Sequence, residues 1–386
     1  MTQNYNFDDI RCFRDDEYRE KMAGLLNEPD FKKVISVVMP EVNFEQFAQQ
    51  LLCLNSVNEF QAHVIIPFIR GLLQKTTKVL DYQGVEYLDK GRDYLFMSNH
   101  RDIVIDPTFL CYALYTSGLD SCEIAIGNNL LIYQWISDLV RINKSFIVKR
   151  NTGIREALEA ARQLSAYIDY VINEKHQSVW IAQREGRAKD SNDRTQEALI
   201  KMLTLSGEGS LLEKLLRLNI APVAISYEYD PCDSLKAFEL LQKHKDPNWK
   251  KGPKDDLVSM QTGIMGYKGI VNYTFTPCIN DQLALIDSSL DKASVLQSVT
   301  QIIDRNIHLN YRIYPNNYIA YDALNGTTRF EKEYTADEKT QFEAYLQKQI
   351  ARVAHLEGED YAFVYERMLV MYANPLINKL AAEGNL

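Results

Sequence analysis

From about Tyr94 onward the chain alternates short β-type runs with helical stretches, and few folds accept that order. The runs are Tyr94–Met97, Glu123–Ile126, Phe146–Val148, Val179–Ala182, Pro222–Tyr227 and Val271–Phe275. Strands separated by helices predict an α/β domain with a largely parallel sheet, because parallel neighbours are joined by crossovers long enough to hold a helix. The clearest crossover starts at about Gly153, where Ile154, Ala157, Leu158, Ala161, Leu164, Ile168, Val171 and Ile172 form a stripe that must lie on the sheet. The first eighty residues read as helical instead, with Phe44, Phe47, Leu51, Leu52 and Leu54 recurring at three- and four-residue steps. The polar stretch His244 to Asp256, with Pro247, Gly252 and Pro253, reads as an exposed loop. After Tyr334 the pattern is helical again, opened by a Thr335/Glu338 capping box and followed by a second helical run after Gly358. The expected organisation is an N-terminal helical region over 1–80, an α/β domain over 81–330 and a C-terminal helical region over 331–386.

Composition removes several function classes. With 386 residues, 46% of them apolar and 25% charged, the chain has the makeup of a folded protein with a sizeable core. Its 43 Lys and Arg against 52 Asp and Glu leave a net charge of −9, the wrong sign for a general nucleic-acid binder. No run approaches the roughly 18–20 apolar residues of a membrane span; the nearest, Val64 to Leu73, is broken by Pro67 and Arg70. Met1 through Glu20 is rich in Asp and Glu and lacks the order of a signal peptide, so a cytoplasmic location is expected. The six cysteines, Cys12, Cys53, Cys111, Cys122, Cys232 and Cys278, include no C-x-x-C pair. Free thiols are therefore expected, with neither a zinc knuckle nor a redox dithiol.

Three strand ends carry candidate chemistry. After the first run comes Ser98-Asn99-His100-Arg101-Asp102-Ile103-Val104-Ile105-Asp106-Pro107, with Asp106-Pro107 expected as a helix N-cap and first helical residue. A histidine within reach of a carboxylate is what a general base requires, since the carboxylate fixes the tautomer and stabilises the imidazolium. His100-Arg101-Asp102 is not a kinase catalytic loop, because no Asp-Phe-Gly follows and no glycine-rich loop precedes it. The run Phe146–Val148 ends in Lys149-Arg150, a pair of cations suited to a phosphate. The run Val179–Ala182 leads into Glu185-Gly186-Arg187, which combines an acceptor for a hydroxyl, a residue permitting close backbone approach, and a cation.

Taken in order, these blocks resemble those of the glycerolipid acyltransferase superfamily, whose members acylate glycerol-3-phosphate or lysophosphatidic acid. The matching residues are Asn99-His100 with Asp106, Phe146-Ile147-Val148-Lys149-Arg150, Glu185-Gly186-Arg187 and Ala221 to Glu228, and the likeness runs from Gly84-Val85-Glu86 to Phe275. There are three departures: five residues rather than four separate His100 from Asp106, Arg184 stands where Pro is usual, and Glu-Gly is followed directly by Arg. A bulge before Pro107 would keep Asp106 as the partner; otherwise Asp102 is the alternative orienting residue.

The resemblance implies an acyltransferase-type sheet flanked by helices and transfer of a fatty acyl group from acyl-CoA or acyl-carrier protein to glycerol-3-phosphate or lysophosphatidic acid. His100 would be the base and Asp106 its orienting partner, while Lys149, Arg150 and Arg187 would hold the acceptor phosphate and Glu185 and Gly186 would help place the acceptor. No metal or prosthetic group is implied; the thioester is a co-substrate. Two rivals remain: a lipid- or membrane-docking protein of the same fold with an altered site, and a thioester hydrolase, for which the chain has no Gly-x-Ser-x-Gly nucleophile. An insoluble acyl product implies peripheral contact with a membrane, for which Arg141, Lys144, Lys149, Arg150 and Arg155 form the candidate cationic patch.

Overall fold

The computed structural model describes residues 5–150, 153–252, 254–353 and 356–386. Seven strands among them form one sheet: β1 (Val79–Gln83), β2 (Leu95–Ser98), β3 (Glu123–Gly127), β4 (Ser145–Val148), β5 (Val179–Ala182), β6 (Ile220–Tyr227) and β7 (Ile270–Phe275). Their order is β1-β7-β6-β2-β5-β3-β4, and every neighbouring pair is parallel except β6 with β7. The carboxyl ends of β2, β3, β4, β5 and β6 therefore share one edge, where α/β sheets place their sites.

The strand interiors explain the two-sided core. Leu95, Met97, Val179 and Ile181 face one side and pack with helices Ile154–Asn173 and Lys292–Leu309. Phe96, Trp180, Val223 and Ile225 face the other and pack with helices Ile66–Thr76 and Ile105–Thr116. Because successive side chains alternate faces, four-residue runs of uninterrupted apolar character suffice to cover both sides. All eight residues of β6 are buried, including Pro222. A residue's N–H and C=O point toward the same neighbour, and the Pro222 carbonyl accepts from the Thr276 amide at 3.0 Å. The donor that proline lacks thus faces the point where β7 ends, and the ladder to β2 is intact.

Helices Asp15–Leu26, Pro29–Val38 and Phe44–Cys53 precede the sheet and close their own core around Tyr18, Met22, Phe31, Phe47 and Leu51. Ahead of them the Ile10 carbonyl accepts from the Ile147 amide at 2.8 Å, which covers the β4 edge. At the other end, helices Ala336–Val353 and Gly358–Glu383 pack against Asp233–Lys245 and Pro315–Asn325 through Phe342, Leu346, Met368 and Tyr372. Thr335 and Glu338 exchange the expected capping-box bonds. The fold is thus a mixed, mostly parallel sheet flanked by helices, with helical regions before and after it.

Several sequence expectations are corrected. β1 begins inside the stretch read as helical; its alternating half-buried and exposed residues give no apolar run, and it exists by pairing with β7. His244 and Lys245 belong to a helix, as do Asp255 and Asp256, so the loop between them is shorter than expected; Pro253 lies outside the described residues. Leu52 and Leu158, both placed on apolar stripes, are exposed. The side chain of Ile154 also lies outside the described residues.

Gly84 joins β1 to the rest of the sheet with φ +81°, and a Cβ there would lie 1.9 Å from the Phe275 carbonyl oxygen. Gly84→Ala is expected to lower stability by about 1–3 kcal/mol or more, from left-handed strain plus displacement of β7. Urea unfolding reads this directly; an unchanged midpoint would show that the β1–β7 edge adds nothing to the cooperative unit.

Candidate active site

β2 delivers the first block to the shared edge. Asn99 pins it there: its side chain donates to the Ile225 carbonyl at 2.9 Å and accepts from the Ile225 amide at 2.8 Å, as a strand residue would. The chain then turns so that His100 Nδ1 meets Asp106 Oδ2 at 2.9 Å. The same Oδ2 accepts from the amides of Arg101 (2.6 Å) and Asp102 (2.9 Å), and Oδ1 accepts from the Tyr227 hydroxyl at 2.9 Å. Asp106 is fully buried, and so is charge-satisfied only by these four donors.

The five-residue spacing is accommodated in the turn. Asp106 is not the N-cap expected from Asp106-Pro107: the helix Ile105–Thr116 starts one residue earlier, and Asp106 sits in its first turn. Capping falls to Asp102, whose Oδ1 accepts from the amides of Val104 (2.9 Å) and Ile105 (2.8 Å). Asp102 thus faces the helix start, while Asp106 faces His100.

Because Nδ1 is engaged by a carboxylate, it carries the proton, and Nε2 is the nitrogen left with a lone pair. His100 lines a cavity of about 930 Å³, with the Trp180 ring edge-on at 5.7 Å. Burial depresses the imidazole below the ordinary histidine value of 6.5, outweighing Asp106, which acts to raise it. The ring is therefore neutral at pH 7, as a base must be.

The cavity lining is of two kinds. Apolar side chains include Ile65, Phe68, Ile69, Leu72, Ile126 and Ile136, several of them from the helical segment before the sheet. Charged ones include Arg150, Glu185, Arg187, Lys189, Lys251 and Asp256. Arg187 is buried, and its Nη1 has no hydrogen-bond partner. Burial works to depress it, but neighbouring acidic groups, the Asp102, Asp230 and Asp256 carboxyls among them, hold it above the ordinary arginine value. Gly186 before it has φ +67°, the left-handed turn that aims Arg187 inward.

Of the other expected residues, Arg150 reaches Glu185, with Nε 3.6 Å from Oε1, so the ends of β4 and β5 meet through them; most of the Glu185 side chain is exposed. Lys149 lines the cavity, but its ammonium is held by Asp9 and by Gln163 at 3.1 Å. Two cations escaped the sequence reading. Lys189 and Lys251 both pair with Glu239, at 3.0 and 3.1 Å, and Lys251 also reaches Asp256 at 3.0 Å. Burial pushes the Lys189 ammonium down to about 7, with Arg187 and Lys251 adding to the effect and Glu239 opposing it. Lys189 follows Arg187 by two residues and was legible in principle, whereas Lys251 arrives from the segment between β6 and β7, where no pattern marks it.

The expected cationic patch is mostly engaged. Arg141 donates to the Arg11 and Asp8 carbonyls and stacks on Phe13, and Lys144 reaches Ser121 and Gln177. With Lys149 and Arg150 also paired, Arg155 is the exposed member.

Comparison with known proteins places these features. Residues 79–226 match the family model described as Acyltransferase. Among solved structures the chain is similar to the 1-acyl-sn-glycerophosphate (LPA) acyltransferase PlsC from Thermotoga maritima, at 10% identity and a TM-score of 0.36, over 76% of this chain and 96% of that one. No curated protein matches the chain. The matched stretch, residues 79–226, holds the His100 turn and both cationic strand ends.

Proposed function

We propose that the protein transfers a fatty acyl group from an acyl thioester, acyl-CoA or acyl-carrier protein, to a hydroxyl of glycerol-3-phosphate or lysophosphatidic acid. The observation that carries this reading is the His100–Asp106 pair at one cavity whose lining includes both apolar and cationic side chains. The acyl chain lies along the Ile65 to Leu72 wall, and the acceptor phosphate meets Arg187 and Lys189, with Lys251, Arg150 and Lys149 nearby. His100 Nε2 takes the proton of the acceptor hydroxyl as its oxygen forms the new ester bond to the thioester carbonyl; the carbon–sulfur bond breaks and the thiolate leaves. Asp106 holds the Nδ1 proton and stabilises the imidazolium. Glu185 and the Gly186 backbone line the acceptor's path. The scheme calls for no metal or prosthetic group.

A membrane is the source or destination of the lipid. No helix among the described residues is long and apolar enough to cross one. Contact is peripheral, and the exposed Ile132 and Tyr133, two and three residues beyond the cavity-lining Leu130, supply its apolar part.

Radiolabelled transfer to glycerol-3-phosphate or lysophosphatidic acid, compared with release of free fatty acid, separates this reaction from thioester hydrolysis and from binding alone. In that assay His100→Ala is expected to lose about 10²–10⁴-fold in turnover while remaining folded. Asp106→Asn should lose activity through the wrong tautomer. A folded His100→Ala variant with near-normal transfer would sink the assignment of the base.

The pH profile should carry two signatures. His100 must be neutral, so turnover falls as pH drops through a value below 6.5 and is full above it. Lys189 is charged below about 7 and neutral above it, so the acceptor KM rises as pH increases through about 7. Lys189→Arg, which keeps its charge, should flatten that rise; a wild-type KM that stays flat from about one pH unit below to about two units above that value contradicts the role of Lys189.

Sedimentation with anionic vesicles should pull the protein down, and the paired substitution Ile132→Ser with Tyr133→Ser should weaken it. Because most of the cations are internally paired, added salt should weaken binding less than the double substitution does. The opposite ranking would return the docking role to the cations.

A further inference from the structure

Asp102 is 1% exposed and makes no hydrogen bond to the His100 ring, yet it bonds to the turn and to the helix start that place Asp106. Its Oδ1 caps the helix that carries Asp106, and its own amide donates to Asp106 Oδ2. The two aspartates therefore close the turn on each other: Asp106 gathers the amides at its start, and Asp102 those at its end. Oδ2 of Asp102 has no hydrogen-bond partner. Against that oxygen lies the backbone of Gly263, where a Cβ would stand 1.8 Å from Oδ2 and 2.7 Å from Cγ.

Gly263 belongs to the helix Asp255–Met265, which lines the cavity with Met260 and Ile264 and, at its start, with Asp256. No side chain separates this helix from the turn. Past its end, the buried Lys268 donates to the carbonyls of Ile264 at 3.1 Å and Gly266 at 2.7 Å, while its own amide donates to the Thr76 carbonyl at 2.8 Å and its carbonyl accepts from the Tyr229 amide at 3.1 Å, which anchors this end of the helix to its neighbours.

We propose that Asp102 is a positioning residue, and that its contact with Gly263 registers one wall of the cavity against the His100–Asp106 pair. A missing methyl group at 263 is then a requirement of the reaction rather than of helix formation, since alanine is the better helix former. This inference rests on the acyl-transfer reading for its activity measurement only.

The test is a steric exchange. Gly263→Ala should displace the Asp102 carboxylate and the turn with it, and a displacement of about 1 Å at a reacting group costs on the order of 10²-fold in turnover. Asp102→Ser keeps a capping oxygen and gives up the second one, so it should lose much less. The double variant should recover most of what Gly263→Ala lost, a non-additivity that unrelated structural damage does not produce. The second readout is the downfield proton resonance of His100 Nδ1–H, assigned by its loss in His100→Ala; it should shift in Gly263→Ala and return in the double variant. If none of the proteins transfers acyl groups, the resonance alone decides and only the reaction assignment falls. Gly263→Ala with wild-type turnover and an unmoved resonance would overturn the proposal. So would a double variant that is no better folded or no more active than Gly263→Ala.

Discussion

Asp106 is a carboxylate removed entirely from water, and the geometry of the site follows from what that costs. An isolated buried charge is too expensive to keep, so the surrounding chain must supply donors. It does so from three directions: the His100 ring, two successive amides of the turn, and the Tyr227 hydroxyl from β6. Each donor is held by something else. Asn99 ties the turn to β6, and Tyr227 is the last residue of that strand. Loss of any one donor leaves a charge short of partners and loosens the others, which makes the arrangement cooperative.

Behind the turn lies a second polar layer that links the site to the C-terminal helices. Lys236 donates to the Arg101 carbonyl at 2.8 Å and pairs with Asp230, while the Arg101 guanidinium pairs with the buried Asp193. Burial and the neighbouring Asp230 push the Asp233 carboxyl up to about 7, and it accepts from the hydroxyls of Tyr345 (2.8 Å) and Tyr372 (2.7 Å). Asn374 and Asn378, on the same helix as Tyr372, bond to the Asp190 carbonyl and to Arg194 in the segment after Arg187. The C-terminal helices thus brace the two segments that carry His100 and Arg187, although they line none of the large cavity.

Much of the sheet was legible from local sequence because parallel strands buried on both faces must be apolar throughout, and such runs stand out against helical periodicity. The observed β2 to β7 begin and end within two residues of the runs read for them. β1 did not stand out, because an edge strand needs neither a continuous apolar run nor two buried faces. The blocks around His100, Lys149-Arg150 and Glu185-Gly186-Arg187 were legible as well, each being a polar cluster immediately following a strand.

What sequence alone determined was therefore the set of strands and the three strand-end clusters, since both are written in contiguous residues. Only the tertiary structure decided which aspartate meets His100, because five intervening residues can be wound in more than one way, and amides from both sides of the turn settle the choice. Tertiary structure likewise decided that Lys149 is occupied by Asp9 and that Lys251 joins Arg187 and Lys189. Those partners are separated along the chain by 140 residues in one case and by the whole of β6 in the other. A charge's role depends on what it faces across such separations, and that information exists only once the sheet has brought the strand ends to one edge.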